Sequence, residues 1–566
     1  MSRTRVAMLA TAALMLVPAS GAQAKPRHHG HHGHHGGSGK LEKAVSVRSI
    51  VKHQRALQSI ADMNGGTRHT ETPGFTASVA YVRERMQRAG LKVTVDQFSF
   101  PEWQETAPPV LQQLTPNAKT YTPGTAADDN SAAVDYITFA NSPTAAVPSA
   151  PVVPVNDILI PSPAADSSSA GCEPEDFPAA TKGAISLLQR GTCPFVQKLA
   201  NAQAAGAVGA ILMNEGDSPG RTNAGFRAGP PDLAIPAVFS SFAVGQELYQ
   251  AYKDGKAPTV RLETNGKSVD RFFPQVVAET RTGDPRRMVI AGAHLDSVPA
   301  GPGINDDGSG TAWQLALAEQ ISKRKFALRN KVRFLWFGGE EDGLIGSQYY
   351  AAQLPQSDVD RTDVMIDTDM IASPNYARLI YDGDGSEPGG TPGPDGSGTI
   401  ENVFARYFAR RGMATERIPF DGRSDYVGFV NRGIPSGGIF AGAEDPKTPE
   451  QVALYGGVAG EQLDPCYHEA CDNISTVTGQ PPADTMNVYE ANPTPENLAI
   501  AQEQANQLNG NALKSLREMS GAVTHALWYF GQNRRDVGSR TTAALRRAKQ
   551  RAAKLPFRGP ERVKTR

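Results

Sequence analysis

The chain has 566 residues, with 57 Lys and Arg against 58 Asp and Glu, and the resulting net charge of −1 excludes an overall basic nucleic-acid binder. With 39% hydrophobic and 20% charged residues, 56 Gly and 42 Pro, the composition is that of a loop-rich globular protein, neither membrane-embedded nor wholly disordered. The length predicts two to four domains.

At the N-terminus, Arg3 and Arg5 precede the apolar run 6–18 and the small-x-small triplet Ala22-Gln23-Ala24, which reads as a secretory signal peptide over 1–24. That run is too short to span a bilayer and no other stretch reaches eighteen apolar residues, so the expected product is secreted and extracellular, without a membrane span. Residues 25–45 follow as a His/Gly-rich leader containing His28, His29, His31, His32, His34 and His35. Glycine-spaced imidazoles cannot pack a core, so a disordered leader is expected, a metal-gathering arm being the alternative. Four cysteines in an exported chain suggest two disulfides among three connectivities. Sequence proximity favours Cys172 with Cys193 and Cys466 with Cys471.

Helical spacing of apolar residues runs from about Ser46 to Gly90, broken by a polar, glycine-containing stretch, and LKVTVDQFSF at 91–100 reads as a strand. Between about 104 and 170 the chain turns rich in Pro, Ala, Ser and Thr, an excursion from the first domain. A small second domain then shows strands at 184–190 and 207–214, a helix at 194–206, an apolar run around 233–241 and a helix from Ala243. It contains no cluster of acids, bases or nucleophiles. The stretch GCEPEDFPAATKGAISLLQRGTCPFVQKLANAQAAGAVGAILMN resembles the protease-associated (PA) domain, a non-catalytic insert of secreted peptidases, and the insert is expected at 130–266. The peptidase part is then expected at 46–129 and 267–530.

Beyond it, strand and helix alternate: MVIAGAH (288–294), a helix over 310–325, KVRFLWF (331–337), a helix near 347–354, VMIDTDMI (364–371) and GGIF (437–440), with terminal helices over 496–530. No clear helix is read near Ala414. This alternation predicts an α/β fold with a mixed, mostly parallel central sheet covered by helices on both faces. The tail, 531–566, holds twelve Lys and Arg against Asp536 and Glu561. It reads as a solvated end, with weak contact to an anionic surface such as a cell wall as the sharper alternative.

In such a sheet, ligands gather at the carboxyl ends of strands. There the sequence places His294 and Asp296, Asp306 in GINDDGSG, Glu340 and Glu341, and Asp369; a late loop, DPCYHEAC, adds His468. Singly, each has an ordinary structural reading; together, at one rim, they form a ligand set for two zinc ions. Two ions need one bridging carboxylate, a nitrogen and an oxygen ligand each, and a nearby carboxylate that takes a proton from the bridging water. Adjacent glutamates can divide the tasks of metal ligand and base. Neither the HExxH helix nor the GxSxG elbow occurs.

The segments GAHLDSVPAGPGINDDGSG, KVRFLWFGGEEDGLIGSQYY, DTDMIASPN, GRSDYVGFVNRGIPSGGIFAGAE and DPCYHEACD resemble the M28 family of zinc aminopeptidases, its small secreted members in particular. The resemblance implies that Asp306 bridges two zinc ions, that His294 and Asp369 complete one site, and that Glu341 and His468 complete the other. It further implies Glu340 as general acid/base, Asp296 as the residue orienting His294, Tyr467 as an oxyanion donor, and Arg423 and Phe440 near the substrate. The expected function is secreted aminopeptidase action on peptide or protein N-termini through a metal-bridged water, with two zinc ions per chain; calcium is left open. The alternatives are another exopeptidase of the same type (a carboxypeptidase or dipeptidase), or a non-catalytic binding protein working through the PA insert.

Overall fold

The computed structural model describes residues 35–537 except 126, 127, 129, 161, 165, 166, 218–220, 226, 228, 389 and 536. The expected signal peptide, His28, His29, His31, His32 and His34 of the leader, and the tail beyond 537 lie outside the described residues.

The chain builds two sheets. The first has eight strands in the order Lys92–Glu105, Gly266–Glu279, Asn330–Phe337, Asp284–His294, Thr362–Thr368, Ser436–Phe440, Leu379–Tyr381 and Glu416–Ile418. Its middle four strands, from Asn330–Phe337 to Ser436–Phe440, run parallel, while the Gly266–Glu279 side pairs antiparallel, giving the mixed sheet expected. The apolar runs are continuous because both faces are covered. Along Asp284–His294, Val289 and Ala291 join one core with Trp313 and Leu527, whereas Met288 and Ile290 join another with Tyr426 and Phe429. Val332 and Phe334 against Leu335 and Phe337 repeat this period-2 division. Burying each of the Val, Leu, Ile, Phe and Met side chains among them stabilises the fold by about 1.5–3 kcal/mol.

The second sheet, of nine strands, has its own core around Ile185, Leu187, Ile211, Leu212, Val238 and Phe239. Helices Phe195–Ala204 and Phe242–Lys253 belong to this part, close to the expected positions. It hangs from a two-stranded ribbon in which Lys92–Glu105 pairs with Gly266–Glu279 along their whole length, from Lys92 opposite Glu279 to Glu105 opposite Gly266. Strand Val110–Thr115 already belongs to the second sheet, through its pairing with Thr259–Thr264. The insert therefore occupies 106–265, and the boundary expected at 130 moves back to the composition shift near 104. A strand as polar as VLQQLT shows itself only through a partner some 145 residues away.

A second difference concerns the leader. His35–Ala44 is a helix, with Leu41 and Ala44 buried and Ser38 Oγ 2.7 Å from His525 Nδ1 on the long helix Asn511–Gln532. Tertiary docking overrides the weak propensity of HGGSGK. The predicted helical region 46–90 is two helices, Val47–Met63 and Pro73–Arg88, whose N-caps Ser46 and Thr72 accept from Ser49 and Phe75 backbone N–H. Near Ala414 stands the short strand Glu416–Ile418, after a helix, Ser397–Ala409. The strand expected to run to 371 stops at Thr368, which leaves Asp369 just outside the ladder. Both disulfides form as expected, Cys172–Cys193 and Cys466–Cys471. No helix among the described residues is long and apolar enough to cross a membrane.

Candidate metal centre

The chemistry-bearing side chains gather at the carboxyl edge of the parallel strands. His294 is the last residue of its strand, and Asp306 lies in the turn before helix Gly308–Lys323. Glu340 and Glu341 follow strand Asn330–Phe337 after Gly338 and Gly339, the latter at φ +70° where a side chain would be strained. Asp369 follows Thr368, and His468 projects from the loop closed by the Cys466–Cys471 disulfide.

His294 Nε2 lies 3.0 Å from Asp306 Oδ1, 3.6 Å from Asp369 Oδ1 and 3.9 Å from Glu340 Oε2. His468 Nε2 lies 3.3 Å from Asp306 Oδ2 and 3.1 Å from Glu341 Oε2. Asp306 thus offers one oxygen to each imidazole. Burial, offset in part by His294, pushes the Glu340 carboxyl well above the usual range, with Asp369 and Glu341 adding to the rise. Against the opposing effect of burial, Glu341 and Asp306 push the His468 imidazole up to about 11.

Two observations bear on whether a metal fits. Glu341 Oε1, Asp369 Oδ1 and Asp307 Oδ2 are buried with no hydrogen-bond partner in the protein, a costly state for carboxylate oxygens unless a cation takes them. Ligand atoms of His294, Asp306 and Glu341, and again of His294, Asp307 and Asp369, lie within 4.8 Å of one another. Imidazole nitrogen with carboxylate oxygen is a donor set zinc accepts. Asp307, unassigned by sequence, enters the second group; its Oδ1 caps the helix by accepting Gly310 N–H at 2.8 Å.

Around these groups stands a supporting layer. Asp296 lies with Oδ1 3.6 Å and its backbone oxygen 3.2 Å from His294 Nδ1, and its carboxylate accepts the backbone N–H groups of Glu340 and Glu341 at 3.3 and 3.2 Å. Its contacts therefore reach the backbone of the glutamate pair as well as the His294 ring. Ser424 Oγ bridges Asp367 and Asp369 at 2.8 and 2.9 Å. Arg68, fully buried, donates to the carbonyls of Pro302 at 2.7 Å, Gly303 at 2.6 Å and Leu295, bracing the turn that carries Asp306. None of these bracing contacts beyond Asp296 was visible as a motif: a lone Arg in a polar break or a Ser in a loop has no sequence signature.

Tyr467 stacks on His468 with ring centroids 3.8 Å apart, and its Oη accepts from Arg423 Nη2 at 3.2 Å. Burial, then Asp306, holds the Tyr467 phenol well above its usual value. Phe440 ends strand Ser436–Phe440 and packs on the cluster of Ala377, Leu379, Tyr455 and Leu463. Two histidines outside this set have other partners: His53 Nδ1 meets Tyr81 Oη at 2.7 Å, and His69 Nε2 meets Asp342 at 3.1 Å.

The model of peptidase family M28 matches residues 275–489, and that of the PA domain matches 148–248. An aminopeptidase of Pseudomonas aeruginosa (strain UCBPP-PA14) is 41% identical over 443 residues, covering 77% of this chain and 78% of that protein. The probable lipoprotein aminopeptidase LpqL of Mycobacterium tuberculosis is 37% identical over 445 residues, 77% of this chain and 82% of that protein. Among solved structures, the aminopeptidase from Aneurinibacillus sp. strain AM-1 shares the fold, with a TM-score of 0.58, 21% identity, and coverage of 89% of this chain and 98% of that one. With the sheet, its strand-end cluster and the insert on its ribbon, these matches establish that the chain belongs to peptidase family M28 and carries an inserted PA domain.

Proposed function

We propose that the chain is a secreted, zinc-dependent aminopeptidase that removes the first residue of peptides. The observation that carries this reading is Asp306, with one carboxylate oxygen at 3.0 Å from His294 and the other at 3.3 Å from His468. In this reading Asp306 would serve both of two zinc ions, with His294 and Asp369 holding one and Glu341 and His468 the other when zinc is bound. Zinc, when bound, supplies Lewis-acid polarisation of the substrate carbonyl and acidifies water.

Glu340 is left free of ligand duty, 3.9 Å from His294. Its carboxylate takes a proton from the attacking water and returns it to the departing amine nitrogen. Tyr467, kept protonated by burial, donates its hydroxyl to the oxygen that becomes anionic. The surplus of carboxylates at this rim favours a free α-ammonium group, which restricts cleavage to N-termini. Phe440, partly exposed at the end of its strand, supplies surface for the first side chain, with Arg423 beside Tyr467 at the mouth. The PA insert shapes access to the cleft.

The reading is tested with leucine p-nitroanilide and its N-acetyl derivative. Hydrolysis of the free-amine substrate only, lost with chelator and restored by zinc, is expected. Equal hydrolysis of the acetylated substrate would overturn the requirement for a free amine.

A further inference from the structure

Arg423 stands at the edge of the cluster with both arms engaged. Nη2 donates to Tyr467 Oη at 3.2 Å, and Tyr467 stacks on the His468 ring that faces Asp306 and Glu341. Nη1 donates to Glu444 Oε1 at 2.7 Å. The Arg423 and Glu444 side chains are 34% and 40% exposed, so the pair lies open to solvent at the mouth. Asp421, whose Oδ1 accepts the Arg423 backbone N–H at 3.1 Å, and Asp445, next to Glu444, add negative charge. One guanidinium here faces three carboxylates, so the mouth keeps a negative potential. A guanidinium with a free edge would do the opposite, since its planar fork matches a carboxylate.

We propose that Glu444 is a specificity-determining residue: by occupying Arg423 and holding its own carboxylate at the mouth, it disfavours dipeptides, whose carboxylate lies one residue from the scissile bond, against longer peptides and amides. The inference rests on the aminopeptidase reading above. An incoming carboxylate must either displace Glu444 from Arg423 or lie beside it, and both cost affinity. Glu444→Gln keeps the shape and a hydrogen-bond acceptor for Arg423 while removing one of the three carboxylates, which weakens the negative field that an incoming carboxylate meets.

The test compares leucylglycine with leucylglycinamide in wild type, Glu444→Gln and Glu444→Asp, all zinc-loaded. Glu444→Gln should raise kcat/KM for the free dipeptide relative to the amide by about tenfold, through KM, while Glu444→Asp stays near wild type. In parallel, calorimetry measures binding of the reduced-bond analogues of both compounds, in which CH2 replaces the scissile carbonyl. The acid analogue should gain about tenfold on the amide in Glu444→Gln. An unchanged acid-to-amide ratio, or an equal loss on both, would overturn the proposal. Because the binding arm needs no turnover, a wild type that cleaves neither peptide counts against the peptidase reading alone, and the analogue ratio still decides the role of Glu444.

Discussion

Asp472 accepts the backbone N–H of Asp306 at 2.9 Å through Oδ2, while its Oδ1 takes Asn305 N–H at 2.7 Å. Asp472 directly follows Cys471, so the loop that carries His468 and the turn that carries Asp306 are tied at a single carboxylate. Asp472→Ala would leave two buried N–H groups unpaired, at about 1–3 kcal/mol each. Zinc affinity should fall about 10–100-fold, measured by competition with a chromogenic chelator. Unaltered zinc retention and melting temperature would show that the tie does not matter.

Glu340→Gln and Glu341→Gln should separate proton transfer from metal holding. The first should keep its zinc content while kcat falls about 10²–10⁴-fold. The second should lose zinc, because Glu341 lies 3.1 Å from His468 with its other oxygen buried and unpartnered. Metal analysis beside steady-state kinetics decides between them, and zinc loss in the Glu340 variant would reverse the assignment.

The two disulfides should differ in what their loss does. In the chain-entropy view, closing a loop of about five residues stabilises by about 2 kcal/mol and one of about twenty by about 3 kcal/mol. Yet Cys466→Ser/Cys471→Ser should cost more activity than Cys172→Ser/Cys193→Ser, because only the former loosens the loop of Tyr467 and His468. Activity measured well below each variant's melting temperature makes the comparison, and equal loss would refute it.

Lys198 gives a pH signature to the insert. Its ammonium is buried, donates to the Ala170 carbonyl at 2.7 Å, and burial lowers its pKa to about 8. Between that value and the ordinary 10.5 the unfolded chain binds more protons than the native one, so this group makes stability rise with pH across that window. The slope approaches about 1.4 kcal/mol per pH unit at most. Thermal melts of wild type and Lys198→Met from pH 8 to 10 should diverge in favour of wild type as pH rises; parallel curves would contradict the assignment.

Much of this architecture was legible because the central strands are buried on both faces. MVIAGAH, KVRFLWF and VMIDT read as continuous apolar runs, and the residue ending each marks the rim where His294, Glu340, Glu341 and Asp369 stand. Asp306 and His468 were read from the GINDDGSG turn and a late loop, and the resemblance of several ordered motifs added the division of roles among the set, which no single spacing would supply. What stayed hidden depends on long-range partners. Arg68 reaches carbonyls about 230 residues away, the helix His35–Ala44 is held by a helix near the other end of the chain, and Val110–Thr115 is a strand only against Thr259–Thr264. Glu444 was invisible for the same reason: its meaning comes from Arg423, across a short helix and a strand.

The central claim is that Asp306 joins two metal positions. Zinc titrated into chelator-stripped protein, with bound metal counted in wild type, Asp306→Ala, Asp369→Ala and Glu341→Ala, tests it most directly. The account predicts two zinc ions in wild type, one in each of the last two variants, and impaired binding at both positions in Asp306→Ala. A wild type that binds a single zinc, or an Asp306→Ala variant that keeps two with unchanged affinity, would contradict it.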